Sequence, residues 1–221
     1  MAGPYDLEEQ ERIAELKAWW EDNGKFVIGA IVAAILALAG WKGWQYHKAQ
    51  SAEDAAAMFE PVDKAVKAKD GKAIEAAAKA LMDKYPSSFF ASDAALHAAK
   101  EHFTAGRTNE AREKLEWVMK NGVRELQGVA RLRLAAVLLD EKKHSEALLV
   151  LDGNKDEAFT AVTADLKGDI MLSLGRLDEA RAAYKLAADK AEPRNPVRQI
   201  AEVKLQALGG APAPAVAGAP Q

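Results

Sequence analysis

The most constraining feature of this chain is an uncharged apolar run between Lys25 and Lys42. Residues 26–41 read FVIGAIVAAILALAGW, so a helix over them has no polar face. Such a helix is either buried in protein or immersed in lipid. The run is slightly shorter than the roughly 20 residues of a typical span, but residues 43–46 extend it and Lys42 can reach water along its own stem. We therefore predict a transmembrane helix over residues 26–46.

The side chains at both ends of the run favour a bilayer over a protein core. Tryptophan and tyrosine concentrate where a membrane meets water, and they stand on both sides of this run. A helix buried in a soluble core remains the alternative. The predicted anchor residues are Trp19, Trp20, Lys25, Phe26, Trp41, Trp44 and Tyr46.

A cleaved signal peptide is the second alternative, because Ala37-Leu38-Ala39 offers the small residues that a signal peptidase prefers. The segment ahead of the run argues against cleavage. Residues 1–25 are long and acidic, whereas the start of a signal peptide is short and positive. They fit an amphipathic helix with Leu7, Ile13, Leu16 and Trp20 on one side. We predict an uncleaved anchor, and the lysine and arginine count around it is too balanced to choose an orientation.

Length, charge and composition restrict the rest of the chain. The 221 residues allow one span and one soluble domain, and the abundance of alanine and leucine favours an all-α fold. A formal net charge of −3 provides no positive field for a phosphate backbone, so nucleic acid is not an expected partner. The absence of cysteine excludes disulfides and thiolate chemistry.

The soluble part, residues 47–208, contains a repeat of about 33 to 36 residues, which is the tetratricopeptide period. Four Glu-Ala pairs mark it, at residues 75–76, 110–111, 146–147 and 179–180. In the best copy, Gly168 permits a close helix approach, Gly175 can end a helix in the left-handed conformation, and Ala180 avoids a clash at a helix crossing. The predicted packing residues are Ala99, Gly106, Ala111, Ala135, Ala147, Gly168, Gly175, Ala180 and Tyr184.

The two ends of the repeat array are less regular. The earliest copy keeps Gly71, Ala76 and Leu81, but Pro61 is expected to kink or restart its first helix. At the other end, Asn195-Pro196 begins a closing helix, with Val197, Ile200, Ala201, Leu205 and Leu208 facing inward. An irregular helical bundle is the alternative to a repeat array. Residues 209–221 form an Ala/Pro tail without periodicity, which predicts disorder.

No arrangement of residues typical of catalysis or of a cofactor site is found in the sequence. His97 and His102 are five residues apart, which places them on different helix faces rather than in a metal-binding pair. The lysines between residues 64 and 72 fit lipid head-group contact or an exposed helix face equally well. We therefore expect a binding protein without a cofactor or metal rather than an enzyme.

The residues around the span carry a resemblance to a known family. The order Trp19-Trp20-Glu21-Asp22-Asn23-Gly24-Lys25, then the apolar run, then residues 40–44 (GWKGW), resembles the YfgM-type ancillary subunits of the bacterial SecYEG translocon. Two strings in the repeats, at residues 132–135 and 164–168, are similar as well.

This resemblance implies an inner-membrane protein with residues 1–25 in the cytoplasm and a tetratricopeptide domain in the periplasm. It implies association with SecYEG and with a membrane-anchored periplasmic chaperone, in support of client polypeptides that leave the channel. The Ala/Pro tail departs from the family pattern. A membrane-tethered adaptor for envelope assembly or cell division would use the same architecture with other partners.

Overall fold

The structure is a computed structural model that describes residues 4–209, with side chains for Glu9 and from residue 11 onward. The side chain of Leu7 and the predicted tail beyond Gly209 lie outside the described residues. The chain divides into two compact units between Glu53 and Asp54. The first unit contains the apolar run, and the second contains the repeats.

All regular secondary structure in the described part of the chain is helical, which confirms the predicted fold class. A short 3-10 helix, Glu157–Phe159, precedes α7. The α-helices are α1 Pro4–Ala68, α2 Gly71–Lys84, α3 Phe89–Thr104, α4 Thr108–Asn121, α5 Arg124–Asp140, α6 His144–Asp152, α7 Thr160–Ser173, α8 Leu177–Lys190 and α9 Pro196–Ala207.

Helix α1 continues through Pro61, so the predicted restart at this proline is wrong. Proline removes one backbone hydrogen bond, which leaves the carbonyl of Ala57 without its helical donor. Ala57 and Pro61 are both exposed, and water can satisfy that carbonyl. Val62 and Ala65 are buried immediately beyond it, so packing on that side holds the helix together.

Four turns of the same construction connect the helix pairs. A residue in the left-handed conformation follows each first helix: Lys69, Gly106, Lys142 and Gly175, with φ between 55° and 74°. Its N–H donates to the carbonyl three residues earlier, and the next N–H donates to the carbonyl five residues earlier. This is the Schellman arrangement, which satisfies carbonyls left free at a helix end. Because all four turns share it, each second helix starts in the same register.

This register corrects the predicted equivalence of the earliest copy. Lys69, not Gly71, occupies the left-handed position, and Gly71 is the first residue of α2. The carboxylate of Asp70 accepts hydrogen bonds from the Lys72 and Ala73 N–H groups and so fixes this start. Ala76 is exposed, and the residue equivalent to Ala111 is Ile74. The Glu75–Ala76 pair therefore lies two residues out of phase with the other three pairs.

The fourth residue of each second helix is buried in the helix crossing. Ile74, Ala111, Ala147 and Ala180 occupy this position, at intervals of 37, 36 and 33 residues. The core of the repeat unit is correspondingly divided into successive layers. One layer joins the end of α1 with α2 and α3, a second extends from α3 to α7, and a third joins α7, α8 and α9.

Helix α9 begins at Asn195-Pro196 as predicted, with the Asn195 side chain accepting a hydrogen bond from the Val197 N–H. Ala201 is buried. Ile200, however, is 49% exposed, so its predicted inward position is wrong. Helix α9 has twelve residues and packs on α7 and α8 along a narrow stripe with Ala201 at its centre. Ile200 lies outside that stripe.

The left-handed positions generate a stability prediction. A Cβ at Gly175 would meet no atom within 4 Å, so the cost of a side chain there is conformational. We expect Gly175→Lys to destabilise the repeat unit, and Lys142→Gly to stabilise it, by about 1 kcal/mol each. Thermal or urea unfolding of the full chain in detergent measures both. The control is Lys143→Gly, at a residue with ordinary φ, which should not stabilise; equal gains from both lysine variants would contradict the assignment.

Candidate interaction surfaces

The apolar run of the first unit is exposed along nearly its whole length, with Val27 half-buried. At 1.5 Å per residue, residues 26–46 extend about 32 Å, close to the roughly 30 Å of a bilayer's hydrocarbon core. Within the described residues this is the one helix long and apolar enough to cross a membrane. The exposed large side chains of the apolar run are Phe26, Ile28, Ile31, Val32, Ile35, Leu36, Leu38 and Trp41.

Aromatic residues are fixed by local contacts at both ends of the run. The indole of Trp20 lies on Gly24, where a Cβ would stand 3.1 Å from the ring. The Asn23 amide donates to the Trp19 carbonyl at 3.0 Å. At the other end the rings of Trp41 and Trp44 are 5.4 Å apart. Each end therefore presents aromatic rings beside polar groups, as the interface of a membrane requires.

The second unit presents an apolar residue at one equivalent position of each first helix. Val66, Phe103, Leu139 and Leu172 each lie three residues before the left-handed residue of a turn. Phe103 is 39% exposed and Leu172 is 42% exposed, whereas Val66 and Leu139 are half-buried. We call these four residues the apolar row. Partly exposed apolar side chains repeated in phase are typical of a surface that binds polypeptide.

Helix α5 extends the apolar row in the middle of the repeat unit. Val129 and Leu132 are partly buried against the core, and Ala136 is exposed. Together with Leu139 they follow a spacing of three and four residues and so share one side of the helix. None of these four side chains is charged, although Glu125 and Arg133 each lie one turn from Val129, so α5 adds an apolar strip to the surface.

The predicted packing residues divide into a buried group and a group exposed in turns. Ala99, Ala111, Ala135, Ala147, Gly168, Ala180 and Tyr184 are buried, whereas Gly106 and Gly175 are exposed in turns. Gly168 has no room for a side chain, since a Cβ there would overlap the ring of Tyr184. The absence of a side chain at Gly168 is what admits that ring between α7 and α8.

A polar cluster attaches α9 to α7 and α8. Lys204 donates to Asp165 at 2.8 Å and to Asp169 at 2.8 Å, and Tyr184 donates to Asp169 at 2.8 Å. Burial raises the pKa of Asp165, although Lys204 opposes that shift. Burial and the neighbouring Asp169 both raise the pKa of the Tyr184 hydroxyl, which keeps its proton for donation. The closing helix is thus held by ion pairs as well as by Ala201.

A second polar cluster joins α2, α3 and α4. The carboxylate of Glu75 accepts from Lys114 at 2.6 Å and contacts Nε2 of His102 at 2.9 Å. Arg107 donates from Nε to Nδ1 of His102 at 3.0 Å, so Nδ1 is the acceptor and Nε2 carries the proton that Glu75 accepts. Burial alone would raise the pKa of Glu75, but the bonds from Lys114 and His102 outweigh it and lower that pKa.

The remaining histidines and lysines considered in the sequence lie at separate places in the structure. His97 lies 3.9 Å from Asp93 on its own helix, and His144 contacts the Ser173 hydroxyl at 2.9 Å. The structure therefore does not bring His97 and His102 to a shared site. Lys64 and Lys67 pair with acids one helical turn away, which accounts for these two lysines as parts of a solvated helix face.

Comparison with known proteins identifies the family. The tetratricopeptide repeat-like domain family matches residues 17–210. An ancillary SecYEG translocon subunit of Neisseria gonorrhoeae is 32% identical over 204 residues, covering 91% of this chain and 98% of the relative. The chain belongs to the ancillary SecYEG translocon subunit family. The subunit of this name from Haemophilus influenzae is 29% identical over 92% of the chain and 99% of the relative, and that from Escherichia coli is 27% identical over 90% and 96%.

Membership of the ancillary subunit family confirms the resemblance based on the residues around the apolar run. The matched residues include the apolar run and all the helix pairs. Two features of the interaction surfaces were not predicted from sequence. The apolar row was visible as an apolar residue three positions before each turn, once Lys69 and Lys142 are recognised as turn residues. The contact between Glu75 and His102 joins residues 27 positions apart and has no local signal.

The lowered pKa of Glu75 generates a pH prediction. A carboxyl whose pKa is lowered by folding contributes stability above its unfolded pKa, near the ordinary value of 4.5, and loses it as pH falls through the folded value. We expect wild-type chain to be more stable than Glu75→Gln at pH 7, with the difference shrinking below pH 4.5. Unfolding temperatures between pH 7 and pH 3 measure this. The control Glu113→Gln, an exposed residue of α4, should follow wild type; a difference for Glu75→Gln that persists at low pH would contradict the assignment.

Proposed function

We propose that this chain is a membrane-anchored interaction module without catalytic activity that associates with the Sec translocon. Three observations support the proposal. The apolar run fits a bilayer in length and in its aromatic ends, the apolar row offers a polypeptide-binding surface, and the relatives are named ancillary SecYEG translocon subunits. The apolar row is the observation that carries the binding role, because Phe103 and Leu172 leave apolar area exposed at equivalent positions of successive helices.

In this proposal residues 26–46 are the span, residues 1–25 are cytoplasmic and the repeat domain, residues 47–208, is periplasmic. The apolar row binds a membrane-anchored periplasmic chaperone or the apolar segments of client polypeptides that leave the channel. Partly exposed phenylalanine and leucine provide affinity without sequence specificity, because burial of apolar area does not depend on direction. A chaperone function needs such tolerance, since its clients share apolar segments but no motif.

Orientation can be tested with single cysteines, because the natural chain has none. Glu9 and Lys190 are exposed positions in the two units. In intact cells we expect a membrane-impermeant maleimide that reaches the periplasm to label Lys190→Cys and not Glu9→Cys. Permeabilised inner membranes should make both reactive. Labelling of Glu9→Cys alone in intact cells would reverse the proposed orientation, and equal labelling of both would argue against a span.

Binding partners can be tested by photo-crosslinking from the apolar row. We expect a photoreactive amino acid at Phe103 or Leu172 to capture a translocon subunit, a periplasmic chaperone or exported clients in native membranes. The control position is Leu149 of α6, which is 74% exposed but lies outside the row. Capture from Leu149 alone, or capture only of proteins that assemble the envelope or the division site, would contradict the proposal.

A further inference from the structure

A cleft beside α5 is lined by two arginines that make no hydrogen bond or ion pair within the described residues. Six of the nine arginines in residues 54–209 donate to a protein acceptor: Arg107, Arg112, Arg133, Arg176, Arg181 and Arg198. Of the described residues in this range, Arg124, Arg131 and Arg194 are the arginines that make no hydrogen bond or ion pair. Two of these three, Arg124 and Arg131, line one cleft of about 190 Å³.

The walls of this cleft are built by tight packing rather than by chance exposure. Arg124 and Arg131 lie two turns apart on α5, with Gly128 between them. The ring of Phe159 lies directly on Gly128, where a Cβ would overlap it, and closes one side. The opposite side is the loop that follows α6, where a Cβ at Gly153 would stand 3.3 Å from Nε of Arg131. Arg131 is therefore half-buried and forms part of the lining of the cleft.

The charge balance of the cleft is positive. Lys155 is the third cation of its lining, and Asp156 is the acidic residue. Asp156 already accepts a hydrogen bond from the Ala158 N–H, which caps the short 3-10 helix. Asp152 stands near Lys155 but is bound to Lys167 at 2.7 Å, which lowers the pKa of that carboxyl. Neither acid therefore pairs with a guanidinium of the cleft.

We propose that this cleft binds a carboxylate carried by an acidic polypeptide segment, with Arg131 as the principal donor. A guanidinium matches a carboxylate with two parallel hydrogen bonds, and a half-buried one without a counter-ion has donors available for such a ligand. Arg124 and Lys155 attract the ligand from the two rims. This binding site is separate from the apolar row and does not depend on association with the translocon.

A polypeptide fits this cleft better than an anionic membrane surface does. The residues around it include exposed acids, Glu125 beside Arg124 and Glu157 beside Asp156. A sheet of lipid phosphates would be repelled by these acids, whereas one carboxylate on a flexible segment can enter between the cations. The volume of the cleft also matches a single anionic group rather than an extended surface.

The test uses the full chain in phosphatidylcholine nanodiscs at moderate salt, with an acetylated tetraglutamate peptide as the probe and tetraglutamine as its neutral counterpart. We expect the chain to bind tetraglutamate and not tetraglutamine. Arg131→Gln should weaken the binding of tetraglutamate about tenfold, because a charge-assisted hydrogen bond is lost. Lys155→Gln, in the loop and outside α5, should weaken binding in the same direction. The matched control is Arg194→Gln, which removes an unpaired arginine outside the cleft and should leave the affinity unchanged.

Three results would overturn the proposal. If the wild-type chain does not bind tetraglutamate at millimolar concentration, the proposed site does not exist. An equal loss with Arg194→Gln would show diffuse attraction to the domain instead of binding in the cleft. Arg131-dependent binding to phosphatidylglycerol vesicles without any binding of tetraglutamate would assign the cleft to lipid. Unfolding temperatures of all variants, together with the NMR signal of the Arg131 Nε–H group during titration, separate a lost site from a lost fold.

Discussion

The repeat unit depends on one backbone arrangement that occurs four times. A left-handed residue at positions 69, 106, 142 and 175 ends each first helix with the same pair of hydrogen bonds. This turn sets where the next helix begins, and the beginning sets which residue enters the helix crossing. Ile74, Ala111, Ala147 and Ala180 are buried for that reason. The same register brings an apolar residue to the surface three positions before each turn, so the packing and the proposed binding row have one cause.

The two polar clusters stabilise the ends of this stack in different ways. Glu75 joins three helices through His102 and Lys114, where the alanine-rich crossings supply little side-chain contact. Lys204 joins α9 to the preceding pair, and Tyr184 fills the space that Gly168 leaves. Partly buried ion pairs recover little net energy after desolvation, but they define geometry well. In both clusters they fix the position of a helix whose apolar contact is small.

Sequence reasoning succeeded where a residue type has one physical use. The continuous helix through the apolar run, the left-handed glycines at 106 and 175, and the start of α9 at Asn195-Pro196 are all of this kind. It failed where a residue type with many uses, here lysine, occupies the left-handed position. Lys69 and Lys142 adopt the left-handed conformation at a cost in conformational energy that tertiary packing offsets. Without Lys69 as the turn residue, the Glu75–Ala76 pair predicts a wrong register for the first repeat. The cleft lined by Arg131 could not be predicted from the sequence, because Phe159 and the loop after α6 form its walls only in the folded chain.

The central claim is that the exposed apolar row, rather than the span alone, binds a periplasmic partner. Replacing its three most C-terminal members by serine, in the triple variant of Phe103, Leu139 and Leu172, tests it directly. Quantitative mass spectrometry of proteins that copurify with the chain from native membranes is the measurement, with equal expression and unfolding temperature verified. We predict that chaperone and client proteins are lost while translocon subunits remain. Unchanged recovery of all partners by a folded triple variant would contradict the claim.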